Sequence, residues 1–206
     1  MVSTRELKTE STSRVGLGLA RALLTPDTRS LHLFAFGIST GAAVWHTLIS
    51  APASYKNLPR QSFGNLQAVL LPSVFGVQAA AAGSLLFSFL REYPIVYHRF
   101  DLLDVHCWQA VTLLTTTGLS LFNLLVATPT ATKIMNDRHR QERAEGKDFS
   151  DPSASEKMKK LNVEFASAHS LSATLQLFAI GGLVEYGLWL AKYGLGEMSL
   201  KRVVRS

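Results

Sequence analysis

Polar side chains that could bind a ligand or carry a proton recur at helical spacing within long apolar stretches of this sequence. The clearest set lies between residues 105 and 127, where polar residues stand three or four positions apart. Because imidazole, amide and hydroxyl groups need hydrogen-bonding partners in an apolar environment, this stripe is predicted to turn inward. It consists of His106, Gln109, Thr112, Thr116, Ser120 and Asn123.

Shorter polar faces occur in three other apolar stretches. His32, Ser39 and His46 stand seven residues apart, which places them on one face of a helix. The spacing predicts the same for the other two sets. They are Gln67 with Gln78, and His169 with Ser172 and Gln176.

The elements that must position these faces are membrane-spanning helices. Charged residues are absent from residues 30–55, 61–90, 105–132 and 165–184. About 20 largely apolar residues cross the hydrocarbon layer, whereas a helix on the surface of a soluble protein shows charges on its outer face. The sequence therefore predicts an all-α integral membrane four-helix bundle. Its spans are expected at residues 31–51, 66–90, 105–127 and 165–190.

The segments between the spans carry turn residues and charges. Pro59 and Gly64 predict a polar turn over Leu58–Gln67, and residues 91–104 read as a solvated connector. The third helix is predicted to break at Thr128-Pro129-Thr130. A helical extension outside the membrane follows from Ala131 to Glu145, between spans three and four.

The last span and the two tails complete the predicted organisation. Ser153 and Glu156 have capping-box spacing, which predicts the start of the fourth helix. Glu185 is expected on the side opposite to His169, reaching the interface or pairing with a basic residue. We divide the chain into an N-terminal tail (1–30) with an amphipathic segment at Arg14–Leu24, a four-span domain (31–190) and a basic C-terminal tail (191–206).

Composition restricts the partners. The formal charge is +6, but the 21 Lys and Arg are spread through every loop and both tails. This distribution favours anionic lipid headgroups over nucleic acid, because basic residues that flank spans lie at the membrane interface. Cys107 is the only cysteine, so no intrachain disulfide can form, and it is interpreted as a small buried hydrophobe.

Alternation of four spans brings polar residues together at one membrane face. The ends of spans one and three and the starts of spans two and four meet there, below the Leu58–Gln67 turn and the basic helix Lys133–Arg143. The cluster is either structural, joining helices by hydrogen bonds, or a shallow ligand site. Its predicted members are His46, Asn65, Gln67, Asn123, Thr128, Thr130 and His169.

Cofactor and catalytic chemistry find little support in the motifs. Two bis-histidine haem sites could be drawn, from His32 with His106 and from His46 with His169. No metal site is predicted, because CxxC and HExxH spacings do not occur. A Gly-rich phosphate loop and a GxSxG motif are also missing, so we expect no enzyme and no cofactor.

Several motifs together resemble the transmembrane protein 205-like family, over roughly residues 31–190. One departure is the segment Pro72-Ser73-Val74-Phe75, where the family pattern has an aromatic pair after proline. The motifs are Leu58-Pro59, Phe63-Gly64-Asn65-Leu66-Gln67, Leu71-Pro72, Thr128-Pro129-Thr130-Ala131-Thr132 with Met135, Arg138 and Glu142, and Phe165 with His169 and Ser172.

The resemblance implies a four-span membrane protein of poorly defined activity. It adds Arg138 and Glu142 to the candidate polar cluster. The family signature would fall on Pro59, Phe63, Gly64, Gln67, Pro129, Thr130, Arg138, Glu142 and His169.

Two further functions remain beside the haem alternative. The first is a non-enzymatic scaffold or trafficking component. Its polar cluster at one membrane face and its Lys133–Lys160 segment would bind a membrane protein or a lipid headgroup. The second is a small oligomeric transporter, which needs Gly37 and Gly41 as a helix-packing face between copies. Endomembranes and the mitochondrial outer membrane both fit this composition.

Overall fold

The computed structural model describes residues 27–194, which are almost entirely helical. The predicted N-terminal segment Arg14–Leu24 and residues 195–206 lie outside this range. In chain order the helices are α1 (Thr28–Val44), α2 (Ala51–Asn57), α3 (Arg60–Glu92), α4 (Ile95–His98), α5 (Val105–Phe122), α6 (Thr128–Glu145) and α7 (Glu156–Trp189), with π-helical turns at Trp45–Ser50, Asn123–Ala127 and Leu190–Gly194.

Four continuous helical stretches are long and apolar enough to cross a membrane, as the sequence predicted. They pack as an antiparallel bundle in which α1 contacts α3, α3 contacts α5, α5 contacts α7, and α7 returns to α1. Short loops between consecutive spans place them side by side in this order. The stretches are Thr28–Asn57, Arg60–Glu92, Val105–Glu145 and Glu156–Gly194.

The polarity of the bundle is inverted relative to a water-soluble protein. Gln78 and Asn123 are fully buried in the interior, whereas Phe178 and Val69 on the outside are 68% and 70% exposed. Apolar side chains on the outside are stable in contact with lipid, and interior polar groups find partners on neighbouring helices. The protein is therefore an integral multi-pass membrane protein.

The apolar core lies toward the end of the bundle at which α1 begins and α7 ends. Leu85 and Phe89 of α3 pack there with Leu113 of α5 and Tyr186 and Trp189 of α7. Alanines of α1 and α5 let the helices approach this cluster closely. They are Ala35, Ala43 and Ala110.

Two of the π-helical turns have a proline just beyond them. Pro52 follows the Trp45–Ser50 turn, and Pro129 follows the Asn123–Ala127 turn. A proline ring collides with the carbonyl four residues earlier, and a wider turn makes room for it. The predicted break at Thr128-Pro129-Thr130 is therefore wrong. The helix runs from Val105 to Glu145 without interruption.

Three further boundaries differ from the prediction. Helix α3 begins at Arg60, so only Leu58 and Pro59 form the turn and Gly64 lies inside the helix. Helix α7 is capped by Ser155, whose hydroxyl accepts from Met158 N–H at 3.1 Å, and not by a Ser153 capping box. The connector after α3 contains the short helix α4.

Gly37 and Gly41 do not pack against another helix of the chain. Both face outward, and no atom lies within 4 Å of the position that a Cβ would occupy. Their predicted packing role is wrong within the protomer. Association between copies through this face stays a prediction.

Candidate functional site

The helix α6 carries an inner face of mixed character that packs on α3 and α7. Five of its residues are at most 8% exposed, at the spacing of one helix face. They are Thr128, Met135, Arg138, His139 and Glu142. Gly146 then ends the helix in a left-handed conformation with φ of 63°.

Glu142 ties α6 to two other segments of the chain. Arg60 donates from its guanidinium to Oε1, and Gln61 Nε2 donates to Oε2 at 2.8 Å. The backbone N–H of Phe149 donates to Oε1 at 3.0 Å. Burial raises the pKa of this carboxyl, but the hydrogen bonds from Arg60 and Gln61 outweigh it, so the pKa is held below the ordinary value. Glu142 is therefore a stable anion at neutral pH.

Arg138 lies between two aromatic rings. Its guanidinium carbon is 4.7 Å from the ring centre of Phe149 and 4.6 Å from that of Phe165. Arg60 lies over the Phe149 ring as well, at 4.2 Å. Burial and the charge of Arg60 hold the pKa of Arg138 below its ordinary value, but an arginine stays protonated. We call Arg60, Gln61, Arg138, Glu142, Phe149 and Phe165 the mouth cluster.

The loop between α6 and α7 is fixed by further hydrogen bonds. Asn162 Nδ2 donates to the Phe149 carbonyl at 2.8 Å, which holds the ring against the two arginines. Glu145 accepts from the backbone and hydroxyl of Ser155 and from Gln141. These donors hold the pKa of Glu145 below its ordinary value. We call residues 128–165 the α6–α7 hairpin.

The predicted cluster is only partly assembled. Arg138 and Glu142 meet in the mouth cluster, and His46, Gln67, Asn123 and Thr128 are buried within the bundle. Asn65, Thr130 and His169 are exposed and do not join it. His169 instead stacks on Phe165 of its own helix, with ring centres 5.8 Å apart. The expectation that these three residues turn inward is wrong.

Two of the predicted motif residues have a clear structural role. Gly64 lets α3 approach α6, because a Cβ at this position would lie 2.6 Å from the sulfur of Met135. Phe63 meets Tyr55 edge to face, with ring centres 5.3 Å apart. Pro59 lies at the start of α3, where a missing N–H costs little. Pro129 follows the π-helical turn that makes room for its ring within the continuous helix.

More than half of the chain matches a known family. The matching family model, covering residues 34–140, is described as "Domain of unknown function (DUF4149)". The chain belongs to this family. The DUF4149 match includes Arg60 and Arg138 and ends before Glu142. No curated protein and no solved structure matches the chain.

Polar contacts continue through the interior of the DUF4149 bundle. Gln176 Nε2 donates to Gln78 Oε1 at 3.0 Å, and Asn123 Nδ2 donates to the Ser172 carbonyl at 3.2 Å. Several buried polar atoms have no hydrogen-bonding partner within residues 27–194. Along the interior they are Ser39 Oγ, Thr40 Oγ1, Gln67 Nε2, Gln78 Nε2, Asn123 Oδ1, Thr128 Oγ1 and Gln176 Oε1.

At the opposite end of the DUF4149 bundle, neutral hydrogen bonds join α1, α3 and α7. The two ring nitrogens of His32 are hydrogen-bonded to Ser88 Oγ and Tyr186 OH, each at 2.6 Å. A haem-ligating role for His32 would require one of these bonds to break. We call His32, Ser88, Phe89, Tyr93, His106, Tyr186 and Trp189 the aromatic end.

Glu185 and Cys107 also lie near this end of the bundle. Glu185 accepts a hydrogen bond from Gln109 Nε2 at 2.7 Å, so its partner is a neutral amide of the predicted stripe and not a basic residue. Among residues 27–194, no three His, Cys, Asp or Glu side chains are arranged to hold a metal ion. Cys107 is buried, as predicted.

Sequence reasoning missed the partners of Arg138 and Glu142. Arg60 and Gln61 were predicted to lie in a turn, and no role was predicted for Phe149. An aromatic residue in an otherwise polar loop was an available signal, because such side chains are seldom left in water. The spacing of Met135, His139 and Glu142 also indicated a helix with a buried face.

Proposed function

We propose that this protein is a non-enzymatic interaction component of its membrane, which binds a partner through the α6–α7 hairpin. The proposal is carried by one observation: the mouth cluster fixes the inner face of the hairpin, while its outer face presents exposed basic side chains. A rigid surface loses less conformational entropy on binding than a flexible loop. The exposed residues are Lys133, Arg140, Arg143, Lys147, Lys157, Lys159 and Lys160.

The chemistry of the cluster supports a binding role over catalysis. Both oxygens of Glu142 already accept hydrogen bonds, and its pKa is lowered, which makes it a weak base. His139 is buried beside Arg60 and Arg138, and burial followed by these charges lowers the pKa of its imidazole. A neutral His139 on the inner face of α6 contributes to packing rather than to proton transfer.

The test is crosslinking in the native membrane, followed by mass spectrometry of the crosslinked proteins. Charge reversal of Arg140 and Arg143 on the outer face should remove the partner, and Arg138→Ala with Glu142→Ala should also remove it. A matched control reverses Arg91 and Arg99, which lie outside the hairpin. An identical set of crosslinked proteins in all four samples would contradict the proposal.

We also infer a narrower family assignment. The assignment to the transmembrane protein 205-like family rests on the motif residues Pro59, Gly64 and Pro129. Pro59 lies at the start of α3, Gly64 lies at a close helix contact, and Pro129 follows a wide helical turn. In the structures of relatives that carry these residues, the arginine and glutamate at the positions of Arg60 and Glu142 should form the same ion pair. A relative whose α6 faces away from α3 would contradict the assignment.

A small oligomeric transporter is the second candidate. The unpartnered buried polar atoms of the interior support it, since they would bind water or a polar solute along a path. In proteoliposomes, Gln78→Leu should abolish solute flux, and Ser84→Ala on the same helix should not. Equal flux in the wild type and Gln78→Leu, or no flux in the wild type, would refute the path.

A further inference from the structure

Arg138 is largely buried and has no hydrogen-bonding partner within residues 27–194. It is 6% exposed. Its Nε atom is enclosed, so the terminal nitrogens are the groups that an external ligand can reach. An arginine carries five N–H donors, and buried donors are normally paired.

The nearby acceptors do not satisfy these donors. Glu142 is occupied by Arg60, Gln61 and the Phe149 N–H. Asp148 lies close enough to influence Arg138 electrostatically, but its Oδ1 accepts from the backbone and hydroxyl of Ser150. The two phenylalanine rings contact the flat face of the guanidinium and stabilise its charge, but they do not accept the N–H groups along its edge.

Arg138 has no ion-pair partner within residues 27–194. Arg60 and Glu142 pair with each other, and Asp148 acts on Arg138 from beyond ion-pair distance. The edge of a guanidinium matches two oxygens of a phosphate group, and an arginine held by aromatic rings is already oriented to bind it. An anion bound here would supply the hydrogen-bond acceptors that Arg138 lacks.

The position of the cluster matches the depth of lipid phosphates. Phe165 opens the fourth uncharged run of the sequence, and the preceding residue, Glu164, is charged. The hydrocarbon layer therefore begins near Phe165, and Arg138 lies over this ring. Basic residues at this level lie among the headgroups.

We propose that Arg138, supported by Arg60 and the rings of Phe149 and Phe165, forms a binding site for a phosphate oxyanion at the membrane surface. The phosphate is that of an anionic phospholipid headgroup or a free phosphate ion. The inference deepens the proposed function, because it assigns a ligand to the same hairpin and depends on that hairpin lying at the membrane surface.

The full-length protein in nanodiscs provides the test. Binding of phosphatidic acid is compared with that of phosphatidylcholine, and inorganic phosphate is titrated in a separate arm with the melting temperature as readout. The wild type should prefer phosphatidic acid, and Arg138→Gln should weaken its binding about tenfold. Lys56→Gln, at an exposed position outside the hairpin, should stay within about twofold because its side chain lies outside the cluster.

Each outcome decides the proposal. A melting shift with inorganic phosphate but no lipid preference identifies the free ion as the ligand. No response to either probe, or equal losses in Arg138→Gln and Lys56→Gln, would overturn the site. If Arg138→Gln does not fold, Arg138→Lys replaces it, because lysine keeps the positive charge but lacks the paired N–H donors of the guanidinium. Retained preference in this variant would also overturn the site.

The two proposals fail separately. Crosslinking reports protein partners in the membrane, whereas nanodisc binding uses the purified chain alone. Loss of phosphate binding in Arg138→Gln with unchanged crosslinks would support the oxyanion site and count against the mouth cluster as a determinant of partner binding. Lost crosslinks in the outer-face variant with unchanged phosphate binding would support both.

Discussion

The two ends of the bundle are closed by different chemistry. At the mouth cluster, charged groups from α3, α6 and the following loop meet, with Glu142 accepting from three donors. At the aromatic end, His32 bridges Ser88 and Tyr186 through neutral hydrogen bonds, and Phe89 and Trp189 pack around them. An ion pair, Arg29 with Glu92, also lies at the margin of the aromatic end.

The two ends differ in how deeply their charged groups are buried. A buried charge is costly unless it is paired, whereas imidazole and hydroxyl groups can pair in an apolar environment without ionising. In the mouth cluster, Glu142 is 6% exposed and is compensated by Arg60. At the aromatic end, the contacts among His32, Ser88 and Tyr186 are neutral, and the side chains of the Arg29–Glu92 pair are 32% and 43% exposed.

Removing the carboxylate of the mouth cluster should have the largest effect on stability. Glu142→Gln leaves Arg60 without its counter-ion, and because Arg60 is about a third exposed, we expect a loss of about 2 kcal/mol, between the values for exposed and buried pairs. Unfolding in a denaturing detergent titration measures it. The control Asp137→Asn removes an exposed pair with Arg140 and should cost less than about 0.5 kcal/mol. Equal costs would remove the distinction between the cluster and the surface.

A variant midway between the ends calibrates both. A Cβ at Gly182 would lie 2.7 Å from Thr116 Oγ1, so Gly182→Ala must displace α5 or α7, at a cost of about 1–2 kcal/mol. Its neighbour Gly181 has no atom within 4 Å of the Cβ position. Gly181→Ala should therefore be neutral or slightly stabilising, because alanine favours the helix. The same unfolding measurement applies, and similar values for both glycines would contradict the close contact.

The aromatic end should be less sensitive to loss of one polar group. Tyr186→Phe keeps the ring packing and removes the hydroxyl that meets His32 at 2.6 Å, so we expect a loss of about 1 kcal/mol. Tyr97→Phe is the matched control, since Tyr97 is 67% exposed. A cost for Tyr186→Phe above that of Glu142→Gln would reverse the ranking of the two ends.

Acid should weaken the mouth cluster. Because the pKa of Glu142 is below its ordinary value of 4.5, its contribution is complete above that pH and is lost as the pH falls through the lowered pKa. The stability difference between wild type and Glu142→Gln should therefore shrink below pH 4.5. Melting temperatures across this range measure it. The difference between wild type and Gly182→Ala should stay constant, because the close contacts of Gly182 are with Thr116 and Thr112, which do not titrate. A parallel decline would show that acid acts elsewhere.

The sequence was sufficient to predict the spans and most inward faces. Runs without charge require lipid, and the positions of Ser39, Gln78 and Asn123 follow from helical periodicity alone. Helical periodicity predicts the face on which a side chain lies. It does not predict which residue of a neighbouring helix lies at the same level along the bundle. His169 shares a face with Gln176, yet it is exposed because its first contact is Phe165 of its own helix.

Other features depend on contacts between distant residues. Arg60 and Glu142 are 82 positions apart, and local spacing contains no information about such a pair. Pro129 was interpreted as a helix break because an α-helical turn cannot accommodate its ring, whereas the wider Asn123–Ala127 turn can. The choice between these conformations depends on the packing of the whole bundle.

The wide turn at Asn123–Ala127 sets the rotation of everything that follows it. Each residue of an α-helix advances the chain by about 100° around the axis, so one residue fewer in this turn would swing α6 by roughly a quarter of a revolution. Glu142 would then point away from Arg60. The five residues of the turn therefore act as an angular spacer, and the length of this segment is as constrained as the identity of the charges beyond it.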